Sequence, residues 1–373
     1  MRVLFIGPLP DPVTGQSLAC KILFDALTEV HHVELVDLNK RGLVQGVSSL
    51  GRLFAVLHIV WRTLRLQSRS DVIYFTISES IAGNLKDLLI YLVCRGRLDR
   101  MVVHMHGGAG MRRLLSDRQA WLARANAFFL RKLGAVIVLG PRHVPIFSDA
   151  VAAARIHKIP NFAEDYMFIT RQVALEKYHD TIPLRLLFLS NHLPGKGHEE
   201  LVSGFKMLDP QEQSLVQIDF AGGFESDAAR EVFLNSIRAN EQLRYHGVVR
   251  GEEKRALFRM AHLFCLPTYY PYEGQPISIL EAYASGCAVL TTDHSGIFDV
   301  FDCQRNGLEV EIQSAQSITI AIRTALQNPP VLQKMGLRNL QEAEEKYRVE
   351  RFIASVSRVL EDVADPGRNG SKR

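Results

Sequence analysis

The sequence predicts an α/β protein built from two doubly wound parallel sheets. Short β-branched and apolar runs alternate with longer amphipathic ones along most of the chain. The strand-like runs are apolar almost throughout, as expected of strands covered by helices on both faces. The alternation breaks at Ile159-Pro160-Asn161-Phe162-Ala163-Glu164-Asp165 and then starts again. A chain of 373 residues with 47% hydrophobic content is long and apolar enough for two cores.

In the first half the expected strands are Val3–Ile6, Val33–Val36, Val72–Phe75, Val102–Met105 and Val136–Leu139. Helical patterns fall between them, near Ser17–Leu27, Leu53–Leu66, Asn84–Cys94 and Gln119–Leu133. Pro160-Asn161 is a turn signal, and a polar stretch follows it to about Thr181. The second set has strands at Leu186–Leu189, Gln217–Phe220, Arg244–His246, Leu263–Leu266 and Ala288–Thr291. Its helices are expected near His198–Met207, Asp227–Ile237, Glu252–Met260, Ile277–Ala284 and Ile318–Leu326. The domains so defined are residues 1–165 and 166–348, with a closing helix over 349–364. Residues 365–373 read as a disordered tail, being rich in Gly, Lys and Arg without apolar side chains.

Met1–Gly7 reads as a buried strand, too short before its glycine for a signal peptide, and no 18-residue apolar run suggests a transmembrane helix. Five widely spaced cysteines (Cys20, Cys94, Cys265, Cys287, Cys303) form no Cys-x-x-Cys pattern. They indicate neither zinc nor a disulfide framework, and read as small buried hydrophobes in a reducing cytoplasm. The net charge of +4 is uneven. Residues 1–165 carry 21 Lys and Arg against 13 Asp and Glu, and the remainder 23 against 27. That asymmetry predicts a first half that faces something anionic. Two basic amphipathic stretches lie in it. Gly51–Arg69 sets Arg52, Arg62, Arg65 and Arg69 beside Leu53, Phe54, Leu57 and Trp61. Met111–Lys132 sets Arg112, Arg113, Arg118 and Arg124 beside Leu114, Trp121, Phe128 and Phe129. Arg with Trp, Phe and Leu at helical spacing is the composition of an interfacial helix, although a wet basic face on an ordinary helix accounts for each stretch alone.

The segment richest in chemistry is Tyr272-Glu273-Gly274-Gln275-Pro276-Ile277-Ser278-Ile279-Leu280-Glu281, continuing to Ser285-Gly286. Pro276 suits the first turn of a helix and Gly286 its end. Glu273 then precedes the helix and Glu281 lies inside it, eight residues on. At helical rise this separation is roughly 12 Å, about the reach from a sugar across a pyrophosphate to a ribose. The free amides of the first turn favour an anion.

This segment resembles the Glu-x7-Glu signature of retaining glycosyltransferases of family 4, the glycosyltransferase group 1 proteins of GT-B fold. The resemblance implies two Rossmann-like doubly wound domains facing across a cleft. The closing helix is implied to cross back onto the first domain. Glu273 is implied to contact the transferred sugar, Glu281 the ribose, and the backbone of Gly274, Gln275, Pro276, Ile277 and Ser278 the sugar and phosphate oxygens. Ser190-Asn191-His192-Leu193-Pro194-Gly195-Lys196-Gly197 resembles the family's Gly-Arg-x-x-x-x-Lys-Gly, which places Lys196 on the diphosphate and Asn191 where an Arg is usual. Gly222 and Val248 lie in segments similar to those that frame the nucleobase. Gly15, in the loop after the first strand, stands at the first of the family's two donor-facing glycines, Gln16 at the second. A Pro/Gly turn with a Ser/Thr helix cap explains that loop equally well. In Val103-His104-Met105-His106-Gly107-Gly108 the resemblance puts His106 near the transferred sugar or the acceptor and leaves His104 packed. Two histidines two apart on a strand point the same way, but no third metal ligand is visible. No Asp-x-Asp occurs either, which argues against the metal-dependent transferases.

The function these readings imply is a metal-independent retaining glycosyltransferase using a UDP- or GDP-sugar and no other cofactor. Glu273, His106 and Lys196 are its expected catalytic residues. The implied acceptor is a glycan or a polyprenyl-diphosphate-linked saccharide of surface polysaccharide synthesis. It is expected on the first domain beside Arg112, Arg113 and Arg124, with peripheral contact to an anionic membrane from the cytoplasmic side. Nucleic acid is not an expected partner. The rival readings are a nucleotide-sugar epimerase of the same fold and a non-catalytic partner subunit. Intact Glu273, Glu281 and Lys196 weigh against the latter.

Overall fold

The computed structural model describes residues 1–39, 49–117, 120–365 and 367. Arg118, the side chain of Arg52 and nearly all of the expected tail lie outside the described residues. Two compact units divide the chain. One comprises residues 1–161 together with those from Glu350 onward, the other Phe162–Val349. The passage to the second unit therefore comes after Asn161, four residues before the expected boundary at 165, directly behind the Pro160-Asn161 turn.

The first unit holds a parallel sheet of six strands: β1 (Arg2–Gly7), β2 (His32–Asp37), β3 (Val72–Thr76), β4 (Met101–His104), β5 (Ala135–Val138) and β6 (Ile156–Lys158). Their order is β2-β1-β3-β4-β5-β6, with Leu4 opposite Ile73 and Phe75 opposite Val103. Every residue of β3, β4 and β5 is buried, which is why these runs lack polar alternation. The helix Val349–Ala364 belongs to this unit and buries Phe352, Val356, Val359 and Leu360, one stripe at helical spacing. Arg100 holds its end by donating to the carbonyls of Val363 and Ala364.

The second unit holds β7 (Leu184–Leu189), β8 (Val216–Ala221), β9 (Leu243–Tyr245), β10 (Leu263–Leu266), β11 (Ala288–Thr291) and β12 (Gly307–Glu309), again all parallel. The order is β12-β11-β10-β7-β8-β9. Chain direction across the sheet reverses between β7 and β10, and ligands of open α/β sheets bind beyond the strand ends at such a switch. Phe188, Phe220, Phe264, Leu280 and Tyr283 meet in its core. Burying each such side chain contributes roughly 1.5–3 kcal/mol.

Four structural details correct the sequence reading. The stretch Met111–Lys132 is two helices, Ala109–Ser116 and Trp121–Leu130, so Arg112 and Arg113 do not share an element with Arg124. The polar stretch after Asp165 contains the helix Arg171–Lys177, started by Thr170 capping Val173 N. The helix Pro329–Lys346 lies where no element was expected. The edge strands β6 and β12 were also missed; at three residues each, they are too short to show a period. Cys20, Cys94, Cys265 and Cys287 are buried, Cys303 is half-buried, and all five are free.

Candidate active site

The loops after β7 and β10 meet at the switch of strand order, and they carry Lys196 and Glu273. Lys196 Nζ stands 2.7 Å from Glu273 Oε2, with both side chains nearly closed off from solvent. Thr268 Oγ1 donates to the same carboxylate oxygen at 3.1 Å. The Tyr270 ring lies 4.6 Å below the ammonium. Backbone bonds fix both loops: Tyr269 N donates to Gly195 O at 2.7 Å and Glu273 N to Tyr270 O at 3.0 Å. Ser295 donates to Glu273 O at 2.6 Å. Gly197 turns the chain with φ of 87°, and a Cβ there would stand 2.3 Å from Pro267 O, so glycine is required.

The helix Ile277–Ala284 begins directly behind Glu273. Pro276 is its N-cap rather than its first helical residue, and no side chain caps it. Ile279 N donates to Pro276 O at 3.2 Å, and the amides of Ile277 and Ser278 ahead of it point out of the open end of the helix. Gly274, Gln275, Pro276 and Ile277 are buried and Ser278 is half-buried. Glu281 lies about one turn in and is 1% exposed. Its Oε1 pairs with Lys254 Nζ from the helix Gly251–Met260, and the same ammonium reaches Glu164 Oε2 at 3.2 Å. Burial pushes the Glu281 carboxyl up while Lys254 pulls it back. Burial also acts against the Lys254 charge, but Glu281 and Glu164 outweigh it and hold that ammonium above the usual lysine range.

The opposite side of this switch is built from β8 and β9. Gly222 has φ of 137°, and a Cβ would stand 1.9 Å from Ser190 O. Gly222 N donates to Gly247 O at 2.8 Å, and Tyr245 Oη donates to Gly222 O at 2.8 Å. Val248 follows on that loop, 61% exposed, and Asn191 is exposed on the loop after β7. The structure therefore brings Asn191, Lys196, Gly222, Val248, Glu273 and Glu281 onto the strand ends of one unit.

Lys177 supports this arrangement from behind. Its Nζ is buried and donates to Phe258 O at 3.3 Å, Ala261 O at 2.9 Å and Ser285 O at 2.5 Å. One ammonium thus ties the C-terminal ends of the two helices that carry Lys254 and Glu281. Thr268, Lys177, Lys254 and Glu164 were all missed by sequence reasoning. Lys177, Lys254 and Glu164 act through partners distant in the chain, which no local spacing marks, and Thr268 precedes Glu273 by five residues in a loop without a periodic pattern.

In the first unit, His106 follows β4. Neither of its ring nitrogens has a hydrogen-bond partner among the described residues, and burial pushes its pKa down to about 3, so the ring is neutral. His104 is wholly buried against it, with ring centroids 4.0 Å apart, and shares a hydrogen bond of 2.8 Å with Tyr74 Oη. Burial, then the neighbouring His106, lowers the His104 pKa too. The Gly107-Gly108 turn and the helix Ala109–Ser116 start on a carboxylate: Gly110 N donates to Glu79 Oε2 at 2.9 Å. A Cβ on Gly107 would overlap Glu79 Oε1 at 1.8 Å, which is why a glycine stands there. Gly15 opens the helix Gly15–Val30, whose N-cap Thr14 accepts from Ser17 N at 3.1 Å in a capping box. Arg112 and Arg113 are exposed on the helix Ala109–Ser116, and Arg112 donates to Arg142 O at 3.2 Å. Arg124 is exposed between Trp121 and Phe128 on the next helix. Among the described residues no three His, Cys, Asp or Glu side chains gather as metal ligands.

Residues 176–341, which hold the whole Lys196, Glu273 and Glu281 arrangement, match the family described as Glycosyl transferases group 1. That stretch, somewhat less than half of the chain, is similar to glycosyltransferases of group 1. The chain is 26% identical over 192 residues to mannosylfructose-phosphate synthase of Agrobacterium fabrum, covering 48% of this chain and 42% of that protein. It also matches N,N'-diacetylbacillosaminyl-diphospho-undecaprenol alpha-1,3-N-acetylgalactosaminyltransferase of Campylobacter jejuni at 26% over 110 residues, 29% of each. The chain thus spans less than half the length of these curated relatives. In architecture it is similar to sucrose-phosphate synthase of Thermosynechococcus elongatus, with a TM-score of 0.75 at 15% identity, covering 98% of this chain and 100% of that one. It is likewise similar to Anabaena HepE in complex with UDP, with a TM-score of 0.71 at 16% identity over 97% and 100%. Two Rossmann-like units in this order are the GT-B fold.

Proposed function

We propose that this protein is a retaining, metal-independent glycosyltransferase of group 1. It moves a sugar from a UDP- or GDP-sugar to a glycan or polyprenyl-diphosphate-linked saccharide during synthesis of surface polysaccharide. The observation that carries the reading is the meeting of Lys196 and Glu273 at the strand-order switch, in front of a helix start that no side chain caps. In the free site these two charges neutralise one another. A bound donor divides them: the diphosphate takes Lys196 and the leading helix amides, and the sugar hydroxyls take Glu273. Glu281 accepts from the ribose hydroxyls. The base lies against Val248 and the glycine backbone at Gly222. As the sugar–phosphate bond breaks, charge grows on the diphosphate between groups already aimed at it, so little reorganisation is needed. Asn191 adds a neutral donor there. The acceptor hydroxyl attacks from the face the nucleotide leaves, and the neutral His106 offers one donor and one acceptor to sugar or acceptor. The solved likeness with UDP and the relative named for a diphospho-undecaprenol substrate support the choice of donor and acceptor.

Peripheral membrane contact belongs to the same reading. Three neighbouring helices of the first unit, Ser49–Gln67, Ile81–Val93 and Trp121–Leu130, expose large apolar side chains that include Phe54, Trp61, Leu85, Leu89, Trp121 and Phe128. Arg65, Arg69 and Arg124 are exposed among them. The only acid in these three helices is Asp87, which is buried against Lys86. Among the described residues no helix is long and apolar enough to cross a membrane.

The test is slow hydrolysis of a panel of UDP- and GDP-sugars with and without EDTA, with the freshly released anomer read by NMR. One donor should be turned over, indifferent to EDTA, with its anomeric configuration kept. An absolute Mg²⁺ or Mn²⁺ requirement, or an inverted anomer, overturns the proposal.

A further inference from the structure

We propose that Lys254 is a positioning residue of the nucleotide site: it keeps Glu281 ionised and aimed beside a second carboxylate, Glu164. The inference rests on the ribose-binding reading of Glu281. Lys254 reaches Glu281 from one helix and Glu164 from the segment before another, so three separate parts of the unit converge on one ammonium. Tyr166 Oη donates to Glu164 Oε2 at 3.2 Å, and its ring lies 5.8 Å from Lys254 Nζ. Of the other groups against the Glu281 helix, Leu332 and Met335 share its apolar core with Leu280, and the Lys177 ammonium sits at its C-terminal end on Ser285 O.

Two carboxylates therefore share one cation in a nearly dry site. Without the ammonium they face each other as like charges, and one of them must take a proton. Burial already pushes the Glu281 carboxyl up, and Glu164 pushes it in the same direction. A protonated Glu281 presents a hydroxyl donor on one oxygen and can no longer accept from both ribose hydroxyls. Lys254 thus controls nucleotide affinity without touching the nucleotide. The sign follows directly. The ionised form is populated only above the raised pKa, so affinity in a variant lacking the ammonium rises with pH, by about tenfold per unit until that pKa is passed.

The experiment is calorimetric titration of the full chain with UDP and GDP from pH 6 to 8.5. Lys254→Met should bind at least about tenfold more weakly than wild type at pH 6, with the gap closing as pH rises. Lys254→Arg should keep the wild-type profile, and Lys254→Met with Glu164→Gln should recover most of the affinity at pH 6. A pH-independent loss in Lys254→Met, or no recovery in the double variant, overturns the proposal. Glu281→Gln separates the two levels. If it binds like wild type, the ribose reading itself fails. If it binds weakly while Lys254→Met titrates like wild type, only the role of Lys254 fails. Should Lys254→Met not fold, Glu164→Gln decides: its affinity must hold to lower pH than that of wild type, and a loss at neutral pH refutes the proposal.

Discussion

Replacing Lys196 by Met should separate stability from catalysis in a way that a merely structural ion pair would not. The Lys196 and Glu273 side chains are only 12% and 10% exposed. Removing one partner of a fully buried pair costs about 3–5 kcal/mol, because the other charge is left without compensation. Here Thr268 still donates to Glu273 at 3.1 Å, and some solvent reaches the site. We therefore expect a loss of about 2–3 kcal/mol for Lys196→Met, discounted for that exposure. Turnover at saturating donor should fall by about two orders of magnitude or more, as for the loss of one preorganised charge. Lys196→Met with Glu273→Gln should regain most of the stability, since exchanging both members for neutral groups of similar size is close to neutral. Its activity should stay at least as low. Unfolding is best followed by calorimetry or far-UV circular dichroism. Both tryptophans, Trp61 and Trp121, lie in the first unit, so indole fluorescence would not report the second. A double variant with near-normal turnover would remove the Lys196 charge from the mechanism. An unchanged stability in the single variant would show that the pair is not closed off as described.

Glu281→Ala should weaken UDP or GDP binding by roughly 1.5–3 kcal/mol, the worth of hydrogen bonds to a charged acceptor, and unchanged affinity in titration calorimetry would refute the ribose assignment. The chain should bind vesicles rich in anionic lipid, less so as salt rises, with about 1 kcal/mol at most from each surface Lys or Arg. Arg124→Ser with Trp121→Ser should reduce vesicle sedimentation and spare nucleotide affinity, and indifference of the wild-type chain to anionic vesicles at low salt would end that reading. The first unit should lose stability in acid. Burial lowers the pKa of His104, and moves His106 to about 3 and His143 to about 4. Between those values and the usual imidazole pKa the unfolded chain binds more protons. Stability is therefore full above pH ~6.5 and falls by about 1.4 kcal/mol per pH unit for each histidine below it. Urea unfolding followed by tryptophan fluorescence at pH 7 and pH 5 measures this, and equal midpoints would contradict it.

What the sequence disclosed, and what it hid, follows from the range of the forces involved. The buried strands were legible because a strand covered on both faces has no polar alternation, as in Val72–Thr76. The site was legible where chemistry and backbone coincide in one segment, as at Glu273, Pro276 and Glu281. The helix Ile81–Val93 starts three residues before its expected onset because Ser80 accepts from Gly83 N, a cap that apolar periodicity does not register. Pro329–Lys346 escaped notice although Pro at the first helical position is a start signal, because its apolar stripe is sparse among charged residues. Lys254 sits in Glu252-Glu253-Lys254-Arg255, which reads as a solvated charged run. Only the packing of its helix beside Glu281 turns it inward.

The turn held by Glu79 has a consequence for small anions. Glycine amides at the start of a helix form a receptor suited to phosphate. In the first unit the Gly110 amide is already bonded to the Glu79 carboxylate, which also lies beside the amides of Gly107 and Gly108; burial raises its pKa and these amides pull it back. A free anion must displace a competitor tethered through the chain, whose effective concentration is on the order of millimolar or higher. Inorganic phosphate at ordinary concentrations therefore cannot settle there and inhibit. On the proposed reading, an anionic acceptor takes its counter-charge from exposed arginines such as Arg112 and Arg113, and its Michaelis constant should rise with ionic strength while that for a neutral acceptor should not.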